Sequence, residues 1–281
     1  MHPGLDVADG QGLFLEPARP ARKRTPLPEA PARPGLTTGI DEAGRGPVIG
    51  PLVVAGVAHA ELALFKEMGC KDSKLLTPAR RKALDREIRR TPGVHVEVRV
   101  IEATVLDHER RQGRSLNRIE ALRFRDIARK LGTEFVIVDA ADVDAKRFGR
   151  VVRAGLARGV TVTSEHKADV NHPVVGAASI VAKVARDAAV AQLGRRLERR
   201  LKMPLGSGYS HDPDTRAFLA AWFGQFGDLP EGTRHTWATA RDLVERAREG
   251  DSAARGALAE IGRRLGAGLV TIINVFDPEL I

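Results

Sequence analysis

The chain has 281 residues, 43% of them hydrophobic, enough for one large domain or two small ones with a sizeable core. Its 45 basic and 36 acidic side chains leave a formal charge of +9, which favours a polyanionic partner such as nucleic acid or an acidic membrane surface. A single cysteine, Cys70, excludes an intramolecular disulfide and any zinc site built on cysteines. No run approaches the roughly 18 to 20 apolar residues of a membrane span, and the N-terminus lacks a signal-peptide layout, so the expected location is the cytoplasm.

Residues 1–35 contain the Pro/Ala/Arg-rich run "EPARPARKRTPLPEAPARPG", whose composition predicts a disordered basic tail. From Leu36, "LTTGID" and "PVIGPLVVAGVAHA" predict two strands around a Gly-rich turn, with Pro51 interrupting or at an edge. "TPARRKALDREIRR" predicts a helix with Thr77 as N-cap and proline at its first position. "VHVEVRVI" alternates like a strand, and "SLNRIEALRFRDIARKLG" has helical spacing and a terminal glycine. "EFVIVDAADVD" is a short apolar run expected to be a strand buried on both faces. "VTVTSEHKADVNHP" adds a strand and a loop, after which Pro173 opens a long helix. The alternation predicts an α/β layered domain with a mixed sheet over residues 36–200. Residues 201–249 form a smaller helical portion carrying the "GSGY" loop, and residues 250–281 an extension ending in the apolar "LVTIINVF".

Carboxylates carry the strongest chemical signal. Asp41 and Glu42 close one strand, Asp139 closes another, and Asp169 lies in the loop before the long helix. Acids converging at one sheet edge would repel and shift each other's pKa values, unless divalent cations neutralise them. Oxygen ligands select magnesium or manganese, and two such ions roughly 4 Å apart serve in-line phosphoryl displacement. Adjacent strand residues point to opposite faces, so Asp41 and Glu42 serve one site only if the backbone bends near "AGRG". Solvated loop acids and helix caps are the plain alternative, and Asp142 and Asp144 read as solvent-facing or supporting acids. In Gly44-Arg45-Gly46 the glycines allow close backbone approach to a sugar or phosphate, and Arg45 adds a charged fork.

Five ordered blocks, "GIDEAGRGPVIGPLVVAGV", "KDSKLLTPARR", "VDAADVDAKRF", "HKADVNHPVVGAASIVAKVARDAAV" and "GSGYSHDPDTRAFL", resemble type 2 ribonuclease H, ribonuclease HII, and its archaeal form more than its bacterial one. The likeness runs from about Thr38 to about Arg246. It implies an RNase H-like mixed sheet flanked by helices, and an endonuclease that cuts the RNA strand of RNA/DNA hybrids. It also implies incision 5′ to ribonucleotides embedded in duplex DNA, leaving 3′-hydroxyl and 5′-phosphate ends. By motif, the catalytic, metal-binding acids are Asp41, Glu42, Asp139 and Asp169, with two magnesium or manganese ions in the active complex. Gly44, Arg45 and Gly46 match the motif that reads the ribose 2′-hydroxyl largely through backbone groups, a test suited to telling RNA from DNA. Tyr209 matches the tyrosine that packs on the following sugar, while Ser73, Lys74 and Asn117 fall in blocks that contact phosphates.

Ser210-His211 stands where a proline-serine pair is expected, a departure that bears on the stiffness of the loop. Lys183, Arg186 and Asp187 read as a structural ion-pair face, His166 and His172 as solvated or supporting residues, and Trp222 and Trp237 as core. Partners implied are hybrids and ribonucleotide-containing duplexes, with a monomeric enzyme and no membrane. A sliding-clamp contact through "TIINVF" is a poor match, lacking glutamine. Three rivals remain: a type 3 ribonuclease H, expected to have lysine at Arg45 and a folded N-terminal module; an exonuclease whose first motif separates the acids as Asp-x-Glu; and a non-catalytic hybrid binder.

Overall fold

A computed structural model describes residues 31–70, 75–238, 240 and 241. In chain order its elements are β1 (Arg33–Ala43), β2 (Leu52–His59), α1 (Ala63–Glu67), α2 (Pro78–Arg90), β3 (His95–Ile101), α3 (Ala103–Arg111), α4 (Leu116–Leu131), β4 (Thr133–Asp139), α5 (Ala145–Arg153), β5 (Thr161–Glu165), α6 (Ala168–Asn171), α7 (Pro173–Leu201) and α8 (Pro213–Phe226). The strands form one mixed sheet in the order β3-β2-β1-β4-β5. β1 pairs antiparallel with β2 and parallel with β4, and β4 pairs parallel with β5. The RNase H-like arrangement expected from the motifs is therefore present.

Local chemistry accounts for the boundaries. Thr77 accepts a hydrogen bond from the Arg80 amide at the start of α2, and Ser115 accepts one from Arg118 at the start of α4. Gly132 ends α4 in the left-handed region, φ +64°, which glycine adopts without steric cost. β1 starts inside the stretch expected to be tail. Arg33 donates its amide to Gly132 O (2.8 Å) and its guanidinium to Leu131 O (2.5 Å), which ties the chain down before Leu36.

Burial follows the two faces of the sheet. Ile40, Leu52, Val54, Val136 and Val138 pack against α4 and α5, where Phe124 and Phe148 meet edge to face at 5.2 Å. Ala43, Ala55 and Val57 pack against Val174, Ala178 and Val181 of α7. A third cluster joins Val48 and Ile49 to Phe218, Leu219 and Trp222 of α8. One expectation fails. β4 is not buried on both faces: α7 lies across β1 and β2 and scarcely reaches β4, leaving Phe135 42% exposed.

Candidate metal and substrate site

The acids converge because of register. β1 and β4 run parallel with Ile40 opposite Val138, which sets Asp41 beside Asp139 at the carboxyl ends of two neighbouring strands. Such strand ends, where the direction of chain connection changes, are the usual place for a ligand site in an α/β sheet. α6 brings Asp169 to the same edge, and its first residue, Ala168, donates its amide to Asp139 Oδ1 at 3.1 Å. One oxygen from each of Asp41, Asp139 and Asp169 lies within 4.8 Å of the others, and among the described residues no other group of three possible ligands gathers in this way.

Glu42 stands apart from that trio for a physical reason. Strand pairing continues through Ala43, so side chains still alternate: Asp41 and Ala43 face α7, while Ile40 and Glu42 face α4. The backbone turns only at Gly44, with φ +87° and Pro51 O 2.7 Å from where a Cβ would sit. Glu42 nonetheless feels the cluster. Burial, then the charge of Asp41, and further that of Asp139, push its carboxyl up to about 8 against the pull of Arg45 and Lys183. Burial also raises Asp41, opposed by Lys183, a hydrogen bond from Ser179 and the Glu42 amide, and reinforced by Asp169. Glu42 Oε2 is buried without a hydrogen-bond partner. An all-carboxylate set whose charge the protein leaves undercompensated suits a hard divalent cation.

Beside the acids opens a cleft of about 670 Å³ lined by Glu42, the Gly44–Gly46 turn and Tyr209. Arg45 corrects the sequence reading: its guanidinium turns inward, donating to the fully buried Glu120 and to Asn117 Oδ1 on α4. The turn therefore presents backbone rather than a charged fork. Asn117, expected at phosphates, is buried and holds Arg45. Ser73 and Lys74 lie outside the described residues.

Lys183, Arg186 and Asp187 are more than an ion-pair face, because all three line this cleft with Arg81 of α2. Arg186 lies 4.9 Å from the centroid of the Tyr209 ring and donates to Ser207 O, fixing the ring from behind. Gly208 allows that loop to dock: its oxygen accepts from the Val48 amide at 2.9 Å, and a Cβ there would come within 2.4 Å of Ile49 O. At the departure from the family pattern, the His211 ring lies tilted against Tyr209, 5.3 Å between centroids, and the His211 carbonyl accepts from Arg216 at 2.8 Å.

Among the other candidates, Asp142 is buried and held by Arg147. Burial pushes its carboxyl up, but the hydrogen bonds from Arg147 and the Asp144 amide outweigh this and lower it. Asp144 caps α5. His172 bonds Glu165 at 2.6 Å and His166 meets Val143 O at 3.3 Å, so neither joins the acid cluster. Trp222 and Trp237 are buried, as core residues should be. The sequence reading missed Arg234, a fully buried arginine bonded to Gly44 and Arg45, and Asp107, which anchors the segment that follows it. Burial, then the charge of Arg186, lower Arg234 to about 9, which leaves it protonated at neutral pH.

The sequence model of the family described as Ribonuclease HII matches residues 38–240, a span that includes the whole acid cluster, the turn and Tyr209. The chain belongs to the ribonuclease HII family. The ribonuclease HII of Methanothrix thermoacetophila is 43% identical over 211 residues, covering 74% of this chain and 97% of the relative. The ribonuclease H2 structure from Pyrococcus horikoshii OT3 superposes with a TM-score of 0.69 at 37% identity, covering 76% of this chain and 99% of that one. The PCNA:RNase HII complex from Archaeoglobus fulgidus gives 0.64 at 40% identity, covering 72% and 94%. The archaeal character of the motifs thus holds. As a member of the ribonuclease HII family the chain is a type 2 ribonuclease H, a metal-dependent endonuclease acting on RNA/DNA hybrids.

Proposed function

We propose that the protein incises duplex DNA on the 5′ side of an embedded ribonucleotide, as well as cutting the RNA strand of hybrids, to leave 3′-hydroxyl and 5′-phosphate ends. The observation that carries this reading is the placement of Asp41, Asp139 and Asp169 within 4.8 Å of one another beside a cleft that also holds Glu42, the Gly44–Gly46 turn and Tyr209. Asp41, Glu42, Asp139 and Asp169 would hold the metal, Asp41, Asp139 and Asp169 as a close trio and Glu42 from the buried wall of the same cleft. Two magnesium or manganese ions, when bound, supply the charge that activates water and stabilises the 3′-oxygen leaving group. The turn tests the 2′-hydroxyl through backbone groups, since Arg45 is engaged with Glu120 and Asn117. Tyr209, backed by Arg186, packs on the sugar of the next nucleotide. Asn117 acts on substrate through Arg45, and Ser73 and Lys74 are assigned to phosphates by motif alone.

This chemistry suits a monomeric cytoplasmic enzyme of ribonucleotide removal and RNA-primer processing. The Archaeoglobus fulgidus relative solved with PCNA supports a sliding-clamp contact, which we assign to the C-terminal end beyond the described residues. The deciding experiment places one ribonucleotide in an end-labelled DNA duplex and maps the product with magnesium, manganese or chelator. A single metal-dependent cut 5′ to the ribonucleotide, absent from all-DNA duplex, is expected. Binding without cutting in either metal would point to a hybrid binder, and a ladder inward from the 3′ end to an exonuclease.

A further inference from the structure

Arg234 lies in no motif that carries chemistry, yet it is 0% exposed and its guanidinium serves a single loop. Nη2 donates to Gly44 O at 2.6 Å, Nη1 to Arg45 O at 2.8 Å and Nε to Gly50 O at 3.0 Å. Those partners lie 184 to 190 residues away in sequence. The arginine itself is tightly held. Its amide donates to Val48 O at 2.9 Å, and its guanidinium lies 4.8 Å from the Trp237 ring. Asp107 of α3 then accepts from the amides of His235 and Thr236 at 2.8 and 2.9 Å and from the Thr236 hydroxyl at 2.6 Å.

A planar guanidinium has donors at fixed angles, so three carbonyls bound to one fork lose their freedom to rotate. A trans peptide points its N–H opposite to its C=O. Turning the Gly44 and Arg45 carbonyls toward Arg234 therefore sends the Arg45 and Gly46 amides the other way, in a turn that lines the cleft. We propose that Arg234 is a positioning residue for sugar recognition, locking the Gly44–Gly46 turn so that its amides are presented to a ribose 2′-hydroxyl. This rests on the reading of that turn given above. The segment after α8 is thereby part of the selectivity device rather than a scaffold appended to it.

The test is a ratio of two dissociation constants, for a duplex carrying one ribonucleotide and for the same duplex in all-DNA form. They are measured in calcium on an Asp139→Asn background, so that the strand stays intact. A variant that merely folds less completely changes both constants alike and leaves the ratio untouched. Arg234→Gln and Arg234→Lys are each expected to lower the ratio about tenfold while all-DNA binding holds, since lysine keeps the charge but cannot span three acceptors. An unchanged ratio in both, or its restoration by lysine, overturns the proposal. Equal constants in the parent with Arg234 intact would instead overturn the reading of the turn itself, and the proposal with it. Should Arg234→Gln fail to fold, Asp107→Asn loosens the anchor while keeping the fork; a smaller fall in the ratio is expected, and no fall counts against the idea.

Discussion

Arg45 and Asp139 make opposite demands on the protein. Arg45 compensates Glu120, a carboxylate with no exposed surface, so Arg45→Ala would leave a buried charge alone and should cost about 3–5 kcal/mol in urea unfolding. Combining it with Glu120→Leu should recover much of that loss; a single variant as stable as the parent would remove the pair from the fold's energetics. Asp139 is the reverse case, because its charge adds to burial and to the charge of Asp41 in raising the pKa of Glu42 and so disfavouring its ionisation. Asp139→Asn is therefore expected to melt no lower than the parent without metal, to lose the parent's stabilisation by magnesium, and to cut several orders of magnitude more slowly. Near-full activity of this variant would place Asp139 outside the chemistry. The convergence of Asp41, Asp139 and Asp169 was legible in the sequence because their motifs are compact, whereas the separate position of Glu42 follows from strand pairing that continues through Ala43. Arg45 was legible as important but not in direction, since no pattern tells an arginine facing substrate from one facing a buried glutamate 75 residues away.

Elements with a long period and good caps were equally legible: β3, α2 and α4 stand where alternation and helical spacing put them. The nine-residue helices α3 and α5 escaped notice, because each offers barely two turns of periodicity among many charges. That omission hid the role of Asp107. The loop and helix carrying Tyr209 show how an element serves the site. Asp212 caps α8 through the Asp214 amide at 3.0 Å and also accepts from the Ser207 amide at 2.5 Å, closing the loop on itself. Burial pushes its carboxyl up, yet the hydrogen bonds from Ser207, Asp214 and Thr215 win and lower it. Such a group stabilises the fold above its ordinary carboxylate pKa of 3.8, and the contribution is lost as pH falls through the lower folded value. Asp212→Ala should cost about 1–2 kcal/mol at pH 7. The gap to the parent should narrow in melts taken below pH 3.8, and a gap independent of pH would show that the carboxylate charge is not what holds the loop.

At the scale of the molecule, charge and connectivity point the same way. Residues 1–30 carry as many acidic as basic side chains and residues 242–281 carry more acidic than basic ones, so the excess behind the +9 lies in the family-matched region. Within that region Arg45, Arg81, Lys183 and Arg186 line the cleft, with the Arg45 guanidinium turned inward to Glu120 and Asn117, and Arg234 is bonded to the carbonyls of the turn. The turn after β1, α2, α3, α7 and the segment after α8 thus contribute cations or their anchors to one place, although they are spread over some 200 residues of chain. Positive charge gathered in this way should bind phosphates with release of their counterions, and each phosphate neutralised contributes about −0.9 to the slope of log K against log salt for a duplex. Three or more contacts would give a slope of about −2.7 or steeper. That slope can be read from calcium titrations of a labelled hybrid at several salt concentrations. It should match for hybrid and all-DNA duplex, because the backbone charge is common to both, whereas the affinity gap between them should survive added salt. A gap that closed as salt rose would mean that the protein distinguishes the two duplexes by charge density, and the role assigned to the Gly44–Gly46 turn would fall.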